Sequence, residues 1–141
     1  MNFEMCVPCL FGLEGLAADE LRKLQMENVR AENGRVFFAG GERDLARANI
    51  NLRTGERVLV VVGKTRADTF DMLFEGVKKM PWEKFIPALG AFPVKGHSLN
   101  SKLHSIPDCQ RIIKKAIVER LKAKYHTEWL KETEAKYQVQ F

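Results

Sequence analysis

The sequence predicts an α+β fold, in which short strands alternate with amphipathic helices. Apolar residues recur with a period of two in some segments and of three to four in others, which is typical of strands and helices respectively. Glycine, asparagine and proline separate these segments at distances that suit short connections. The chain has 141 residues, of which 45% are hydrophobic and 29% charged. This composition indicates one globular domain or two small lobes sharing a core.

The first predicted elements are a strand, a helix and a hairpin. Residues 2–9 alternate apolar and more polar side chains, which predicts a strand. Residues 12–25 carry leucine and alanine at helical spacing, with acids early and Arg and Lys late, as the helix dipole favours. Asn33 and Gly34 then form the strongest short signal for a hairpin between two strands.

A second helix and a fourth strand complete this first part of the chain. Residues 41–55 are predicted as a helix that ends at Gly55. The segment "ERVLVVVG" contains five consecutive apolar residues and is predicted as a buried strand. Residues 1–64 therefore follow the order β-α-β-β-α-β. This is the ferredoxin-like arrangement, a four-stranded antiparallel sheet with both helices on one face.

The pattern of elements restarts after residue 64. Asp68 is the predicted cap of a helix, Pro81 ends that helix, and "AFPVKG" follows as a strand. The segment "SIPDCQRIIKKAIVERLKAKY" predicts a long helix that is capped by Ser105, with Asp108 three residues later. "KYQVQF" is predicted as a half-buried strand without a hairpin partner. We therefore expect this sequence to be a fragment of a longer protein.

Positive charge is concentrated in one segment of the chain. Residues 95–124 contain eight Lys and Arg against Asp108 and Glu119, a balance of +6, whereas the whole chain carries +5. On a helical wheel, Arg111, Lys115 and Lys122 lie within a narrow arc opposite the apolar face of the long helix. Glu119 is the one acid beside them, so ion pairs within the helix do not explain the charge.

This charge predicts a surface that binds a polyanion, with a solvated outer face as the ordinary alternative. Lys114 lies at the margin of the helical arc, and the preceding loop adds lysines and histidines beside a helix N-terminus, which favours phosphate. Asp108 in the first helical turn would compete with a bound anion, so binding by the whole face is favoured over a single phosphate pocket. The predicted binding residues are Lys95, His97, Lys102, His104, Arg111, Lys114, Lys115 and Lys122.

The sequence offers little support for catalysis or metal binding. Cys6 and Cys9 form a lone C-x-x-C, and small buried apolar side chains are the expected role for all three cysteines. His97 and His104 have no serine, cysteine or carboxylate spaced to identify a catalytic partner. No P-loop or glycine-rich cofactor turn is present, and we predict no catalytic, cofactor-binding or metal-binding residue in this chain.

Three further expectations concern the tryptophans and the cellular location. Trp82 and Trp129 could each stack on a base of an RNA. Trp82, beside Pro81 in an apolar segment, is nevertheless expected in the core, and Trp129, in a polar stretch, is expected to be half-exposed. The run "MCVPCLFGL" is too short to span a membrane and has no basic leader, so we expect a cytoplasmic protein.

Four segments together resemble the N-terminal part of bacterial THUMP-domain RNA methyltransferases. They are "FGLEGLAADELRKL", "NGRVFFAG" with the following "DLARANINLRTGERVLVVVG", "TFDMLFEGVKKMPWEKFIP" and "FPVKGHSLNSKLHSIPDCQRIIKKAIVERL". The resemblance is to the group that includes the large-subunit ribosomal RNA guanine-N2 methyltransferase and proteins labelled N6-adenine-specific DNA methylases. It implies a ferredoxin-like lobe over 1–64 and an incomplete THUMP domain, an RNA-binding module, over 65–141.

The resemblance also implies a function for the chain and for a longer parent protein. In the family, a covalently linked Rossmann-like catalytic domain binds S-adenosylmethionine, but its glycine motif and catalytic loop have no counterpart in these 141 residues. We therefore expect an RNA-binding module that positions structured, ribosomal RNA for a catalytic domain absent from this chain. The alternatives are a THUMP module of a transfer-RNA-modifying enzyme and a structural or interaction domain that does not bind RNA.

Overall fold

The computed structural model describes residues 2–96, 98 and 101–141, and it divides the chain into two compact units. The first unit is Met1–Val61 and the second is Val62–Phe141. Each unit has its own cluster of buried apolar side chains. None of the helices in the described ranges has the length and apolar character needed to cross a membrane.

The first unit has the ferredoxin-like arrangement that the sequence predicts. Its elements are β1 (Phe3–Pro8), α1 (Glu14–Lys23), β2 (Glu27–Glu32), β3 (Arg35–Gly40), α2 (Glu42–Asn51) and β4 (Leu59–Val60). The strands lie in the order β2-β3-β1-β4, and each neighbouring pair is antiparallel. The predicted hairpin is confirmed, and Gly34 provides its positive φ of 76°.

Both helices of the first unit pack on one face of this sheet. The alternation in β1 and β3 places Met5 and Val7 opposite Phe38 and Val36, and all four side chains are buried. Alanine and leucine side chains of the two helices complete the cluster: Ala17, Ala18, Leu21 and Ala48. The intervening residues of the strands point to the other face, where Phe37 lies beneath the guanidinium groups of Arg30 and Arg35.

Two predictions about the end of the first unit are wrong. Helix α2 ends at Asn51 rather than Gly55, because Leu52 is already extended and packs against the first core. Gly55 has a different role: a Cβ there would lie 2.3 Å from Cγ1 of Val7, so only glycine allows the chain to pass this close to β1.

The apolar run 58–62 forms a strand of only two residues, Leu59–Val60, instead of the long buried strand predicted. The run is divided between the two cores. Val58 and Val60 pack against the first cluster, whereas Val62 packs against the second. A continuous apolar run therefore marks the junction of the two units.

The second unit consists of helices that pack with a small parallel sheet. Its elements are α3 (Phe70–Lys78), a short 3-10 helix (Trp82–Lys84), β5 (Val94–Lys95), α4 (Ile106–Tyr125) and β6 (Val139–Gln140). Strand β6 pairs in parallel with β5, so the last predicted strand has a partner after all. Trp82 lies in the core as predicted, and its indole N–H donates a hydrogen bond to the carbonyl of Val77 at 2.7 Å.

The helix starts in the second unit differ in detail from those predicted. Thr69, not Asp68, caps α3, since its hydroxyl accepts the N–H of Met72 at 3.2 Å. Asp68 instead forms an exposed ion pair with Arg66 at 3.4 Å. Ser105 does occupy the cap position of α4, but its hydroxyl donates to the carboxylate of Asp108 at 2.8 Å instead of accepting a backbone N–H.

Candidate nucleic-acid interface

Helix α4 is held in place by a buried apolar face, which fixes the direction of its polar face. The buried side chains are Cys109, Ile113, Ala116, Ile117 and Leu121. They pack in the second core with apolar residues of α3, of the 3-10 segment and of the strand region. Because these positions repeat at three to four residues, the positions about half a turn away must face outward.

The outward face of α4 carries a cationic stripe, defined here as Arg111, Lys115 and Lys122. These residues are four and seven positions apart, so the stripe extends about 16 Å along the helix at 1.5 Å per residue. Lys115 is exposed and Lys122 is half-buried, and neither forms an ion pair with any other described residue. The alignment predicted from the helical wheel is therefore present as a surface feature.

Arg111 forms an ion pair with a residue of the same helix, which partly neutralises its positive charge. Its side chain is 73% exposed, and its guanidinium lies 2.9 Å from a carboxylate oxygen of Asp108 one turn earlier. Exposed pairs of this kind contribute little to stability and can be exchanged for a phosphate. Asp108 also occupies the first turn of α4, so a single phosphate pocket at the helix N-terminus is disfavoured, as expected from the sequence.

The loop before α4 contributes further exposed cations. Lys95 at the end of β5, Lys102 and His104 are all exposed. Lys102, whose side chain is 74% exposed, lies 3.9 Å from the partly buried Asp68, and this distance is too long for a strong ion pair. His97 lies outside the described residues. The loop and the stripe are consecutive in the chain, and both belong to the second unit.

Lys114 differs from the other predicted binding residues because its ammonium group is satisfied inside the protein. Its Nζ lies 2.6 Å from Oε1 of Glu132 and 3.1 Å from the carbonyl oxygen of Phe92. It also lies 3.6 Å from the centroid of the buried Phe92 ring. Glu132 in turn accepts the backbone N–H of Phe92 at 3.2 Å. Lys114 thus joins α4 to two other segments, and we leave it out of the proposed interface.

Burial and hydrogen bonding act in opposite directions on Glu132. Burial raises the pKa of its carboxyl group, but the hydrogen bonds from Lys114 and from the Phe92 amide outweigh this effect. The resulting pKa is below the ordinary value. The charged form of Glu132 therefore persists at neutral pH and keeps its pairing with Lys114.

Arg120 is a second cation of α4 that binds within the protein. Its guanidinium makes two hydrogen bonds of 2.8 and 2.9 Å to the two carboxylate oxygens of Glu83. The side chains are only 23% and 22% exposed, and such a forked pair is stronger than an exposed one. The hydrogen bond from Arg120 lowers the pKa of Glu83 to about 2, although burial acts to raise it. This pair ties α4 to the 3-10 helix.

The described residues contain no cluster of metal-ligating side chains, and their cysteine thiols are buried. They contain no group of three or more His, Cys, Asp and Glu placed to hold a metal. The three cysteines are buried thiols, and burial raises the pKa of Cys9 and Cys109, which makes them poor nucleophiles. His104 forms no hydrogen bond to a serine, cysteine or carboxylate within the described ranges.

The glycine-containing turn from β1 to α1 does not fit S-adenosylmethionine. In the turn between β1 and α1, the carboxylate of Glu14 accepts the N–H of Gly12 at 2.8 Å and that of Gly34 at 2.9 Å. These two amide groups are therefore already bonded to a carboxylate, and Glu14 places an acid in the turn.

Trp129 is a surface residue that sequence reasoning underestimated. It is 74% exposed, whereas half-exposure was expected. The polar stretch around Trp129 was the sequence signal for its exposure. Lys124, Lys131 and Lys136 are also exposed and increase the positive surface of the second unit.

Comparison with known proteins decides the family. Residues 4–59 match the RlmL ferredoxin-like domain, and residues 67–141, more than half of the chain, match the THUMP domain. The chain belongs to the THUMP-domain family. The THUMP match covers the buried helix α4, its cationic stripe and the loop that precedes it.

Similar proteins support this assignment and are much longer than the chain. A Bacillus subtilis protein named as an RNA methyltransferase, YpsC, is 47% identical over 92% of the chain and 34% of its own length. A Pseudomonas putida protein, ribosomal RNA large subunit methyltransferase K/L, is 29% identical over 86% of the chain and 17% of its own length. The chain thus spans about one third or less of these relatives.

Two crystal structures share the fold over 99% of the chain. One is described as a predicted N6-adenine-specific DNA methylase from Listeria monocytogenes, with 42% identity, a TM-score of 0.95 and coverage of 37% of that chain. The other, SMU.472, is described as a methyltransferase, was crystallised with SAH, is 37% identical and has a TM-score of 0.93 over 38% of that chain. Both agree with the resemblance inferred from the sequence.

Replacing Lys114 should destabilise the THUMP domain, whereas replacing its neighbour Lys115 should not. Lys114→Met retains the aliphatic stem but leaves Glu132 charged and without its partner, so we expect the free energy of unfolding to fall by about 2 kcal/mol. Lys115→Met changes an exposed side chain and should alter the free energy of unfolding by less than about 0.5 kcal/mol. Urea denaturation of both variants measures the difference. Equal stabilities would contradict the internal role of Lys114.

The ion pair between Glu83 and Arg120 should make the stability of the folded chain depend on pH in the acidic range. The pKa of Glu83 is about 2 in the folded chain against an ordinary value of 4.5, so its contribution is present above about pH 4.5 and is lost as the pH falls toward 2. Over this pH range, we expect the free energy of unfolding of the wild type to fall by roughly 2 kcal/mol more than that of Glu83→Gln. This figure allows for the partial solvent exposure of the pair.

Denaturation at several pH values tests this contribution. Glu128→Gln, which removes an exposed carboxylate of the same unit, is the matched control and should keep the steep loss of stability in acid. Parallel curves for the wild type and Glu83→Gln would show that the pair does not contribute as described.

Proposed function

We propose that this chain is the RNA-binding, substrate-positioning part of an S-adenosylmethionine-dependent ribosomal RNA methyltransferase. The THUMP match and the names of the longer relatives support this proposal. One structural observation carries it: α4 buries its apolar face and presents Lys115 and Lys122 outward without an ion pair to any described residue. The loop that precedes α4 in the chain carries further exposed cations.

The charge of the two units supports the same surface. The second unit contains fifteen Lys and Arg against nine Asp and Glu, a net charge of +6, whereas the first unit has a net charge of −1. Two of the cations of α4, Lys114 and Arg120, form ion pairs within the second unit. They are therefore not counted among the cations that are available to bind RNA. Lys95, Lys102, His104, Arg111, Lys115 and Lys122 remain as the proposed contacts, and His97 stays a prediction.

Such a surface would bind RNA through its phosphates and shape. Lys and Arg contacts to phosphate displace counterions, so they give affinity that falls steeply with salt and carries little sequence information. This behaviour suits a module that holds a structured RNA in one orientation. The target base would then be selected by a separate catalytic domain.

The methyl transfer itself is assigned to a part of the parent protein outside this chain. The chain covers one third or less of the relatives' length, and these longer relatives are named as methyltransferases. We propose that the parent methylates the N2 atom of a guanine in large-subunit ribosomal RNA, with a covalently linked catalytic domain as partner and in the cytoplasm. The resemblance to that group supports the guanine assignment, and the SAH in one structural relative supports S-adenosylmethionine as the methyl donor of the parent.

Charge reversal on the stripe should weaken RNA binding and reduce its dependence on salt. For Lys115→Glu combined with Lys122→Glu, we expect the slope of log K against log salt to decrease by roughly one unit per lost contact. Fluorescence anisotropy with a ribosomal RNA hairpin at several salt concentrations measures both effects. Unchanged affinity and slope would remove α4 from the interface.

A matched control and two other probes separate the alternatives. Arg43→Glu with Arg57→Glu makes the same charge change at exposed positions of the first unit and should leave the slope nearly unchanged. Tighter binding to transfer RNA than to the ribosomal hairpin would favour a transfer-RNA-modifying parent. Equal binding to duplex DNA of the same sequence would contradict RNA specificity, and failure of the wild type to bind any of these would indicate an interaction domain instead.

A further inference from the structure

Trp129 combines high exposure with a fixed backbone. The hydroxyl of Thr127 accepts the N–H of Trp129 at 3.3 Å and donates to its carbonyl oxygen at 3.0 Å. On the other side, Leu130 packs against the second core and Glu132 is held by Lys114. The peptide units around Trp129 are thus anchored on both sides while 74% of the residue remains in solvent.

This anchored turn follows directly from the end of the cationic stripe. The carbonyl of Lys122 accepts the N–H of His126 as the helix ends, and also that of Thr127 at 3.2 Å. His126 adopts a left-handed conformation, with φ of 52°, that turns the chain out of the helix. Hydrogen bonds between the backbones of Lys122 and Thr127, and between the Thr127 hydroxyl and the backbone of Trp129, therefore link the turn that carries the indole to the end of α4.

The surroundings of the indole favour a nucleic-acid base over a protein surface. In sequence, Thr127, Glu128 and Lys131 near the indole are polar or charged, and the apolar neighbour Leu130 packs against the second core. The other large hydrophobic side chains exposed in the described part of the second unit are only 38–42% exposed. A protein-docking surface would need a continuous apolar patch, whereas one isolated aromatic ring beside cations is typical of base stacking on a phosphate-binding surface.

We propose that Trp129 stacks on an unpaired base of the RNA whose phosphates lie along the cationic stripe. This inference rests on the proposed function. It adds recognition of an unpaired base to the recognition of RNA by its shape and phosphate charge. Sequence-specific and single-strand RNA recognition commonly uses aromatic rings in this way, since every base offers a flat face. The RNA target would then be a helix with an adjoining loop or bulge, not an uninterrupted duplex.

The test compares two variants on two RNA probes. Trp129→Ala removes the ring and should weaken binding to an RNA hairpin with an unpaired loop by about 10-fold, within the range measured for loss of one stacked base. Trp129→Phe keeps an aromatic face and should lose less. Neither variant should change binding to a blunt duplex of the same stem, and neither should change the salt slope, because stacking displaces no counterion.

Intrinsic fluorescence supplies a second readout. Trp82 is buried and hydrogen-bonded in the core, so quenching by the hairpin should arise from Trp129 and should disappear in Trp129→Phe. Thermal melting controls for folding, and an exposed side chain should leave the melting temperature unchanged.

The outcomes distinguish the stacking proposal from the function on which it depends. If Trp129→Ala binds the hairpin with the same affinity and salt slope as the wild type, stacking is overturned and the phosphate-binding surface remains intact. An equal loss on hairpin and duplex would also overturn it. If the wild type binds neither probe, both the stacking and the proposed function fail.

Discussion

The burial of one face of α4 is the constraint on which the candidate interface depends. Cys109, Ile113, Ala116, Ile117 and Leu121 are almost completely removed from solvent, and each large apolar side chain contributes on the order of 1.5–3 kcal/mol when buried. Rotating the helix enough to hide its lysines would expose these side chains. The direction of the cationic stripe is therefore set by the core, so the surface is presented before any ligand arrives.

The charged residues of this helix have two different physical roles. Lys114 and Arg120 are directed toward Glu132 and Glu83, and they join α4 to distant segments of the second unit. Lys115 and Lys122 face outward and have no ion-pair partner in the described part of the chain. One amphipathic helix thus organises its own domain through one set of cations and offers the other set to solvent. A count of charges along the sequence combines the two sets, so it overestimates the number of cations that are available to bind RNA.

The parts of the fold that depend on local patterns could be predicted, whereas those that depend on distant partners could not. The hairpin at Asn33 and Gly34 and the two faces of α4 follow from turn chemistry and helical period. The partner of Lys114 lies eighteen residues away and that of Arg120 thirty-seven residues away, so no helical wheel reveals them. The long apolar run after Arg57 fails as a single strand because two separate cores share it.

Lysine footprinting in the presence of RNA tests the central claim most directly, because it reports each ammonium group separately. Acetylation under single-hit conditions, followed by mass spectrometry, compares reactivity with and without a ribosomal RNA hairpin. The account predicts protection of Lys95, Lys115 and Lys122, no change at the exposed Lys23 of the first unit, and low reactivity of Lys114 in both states. Equal reactivity of Lys115 and Lys122 with and without bound RNA would contradict it.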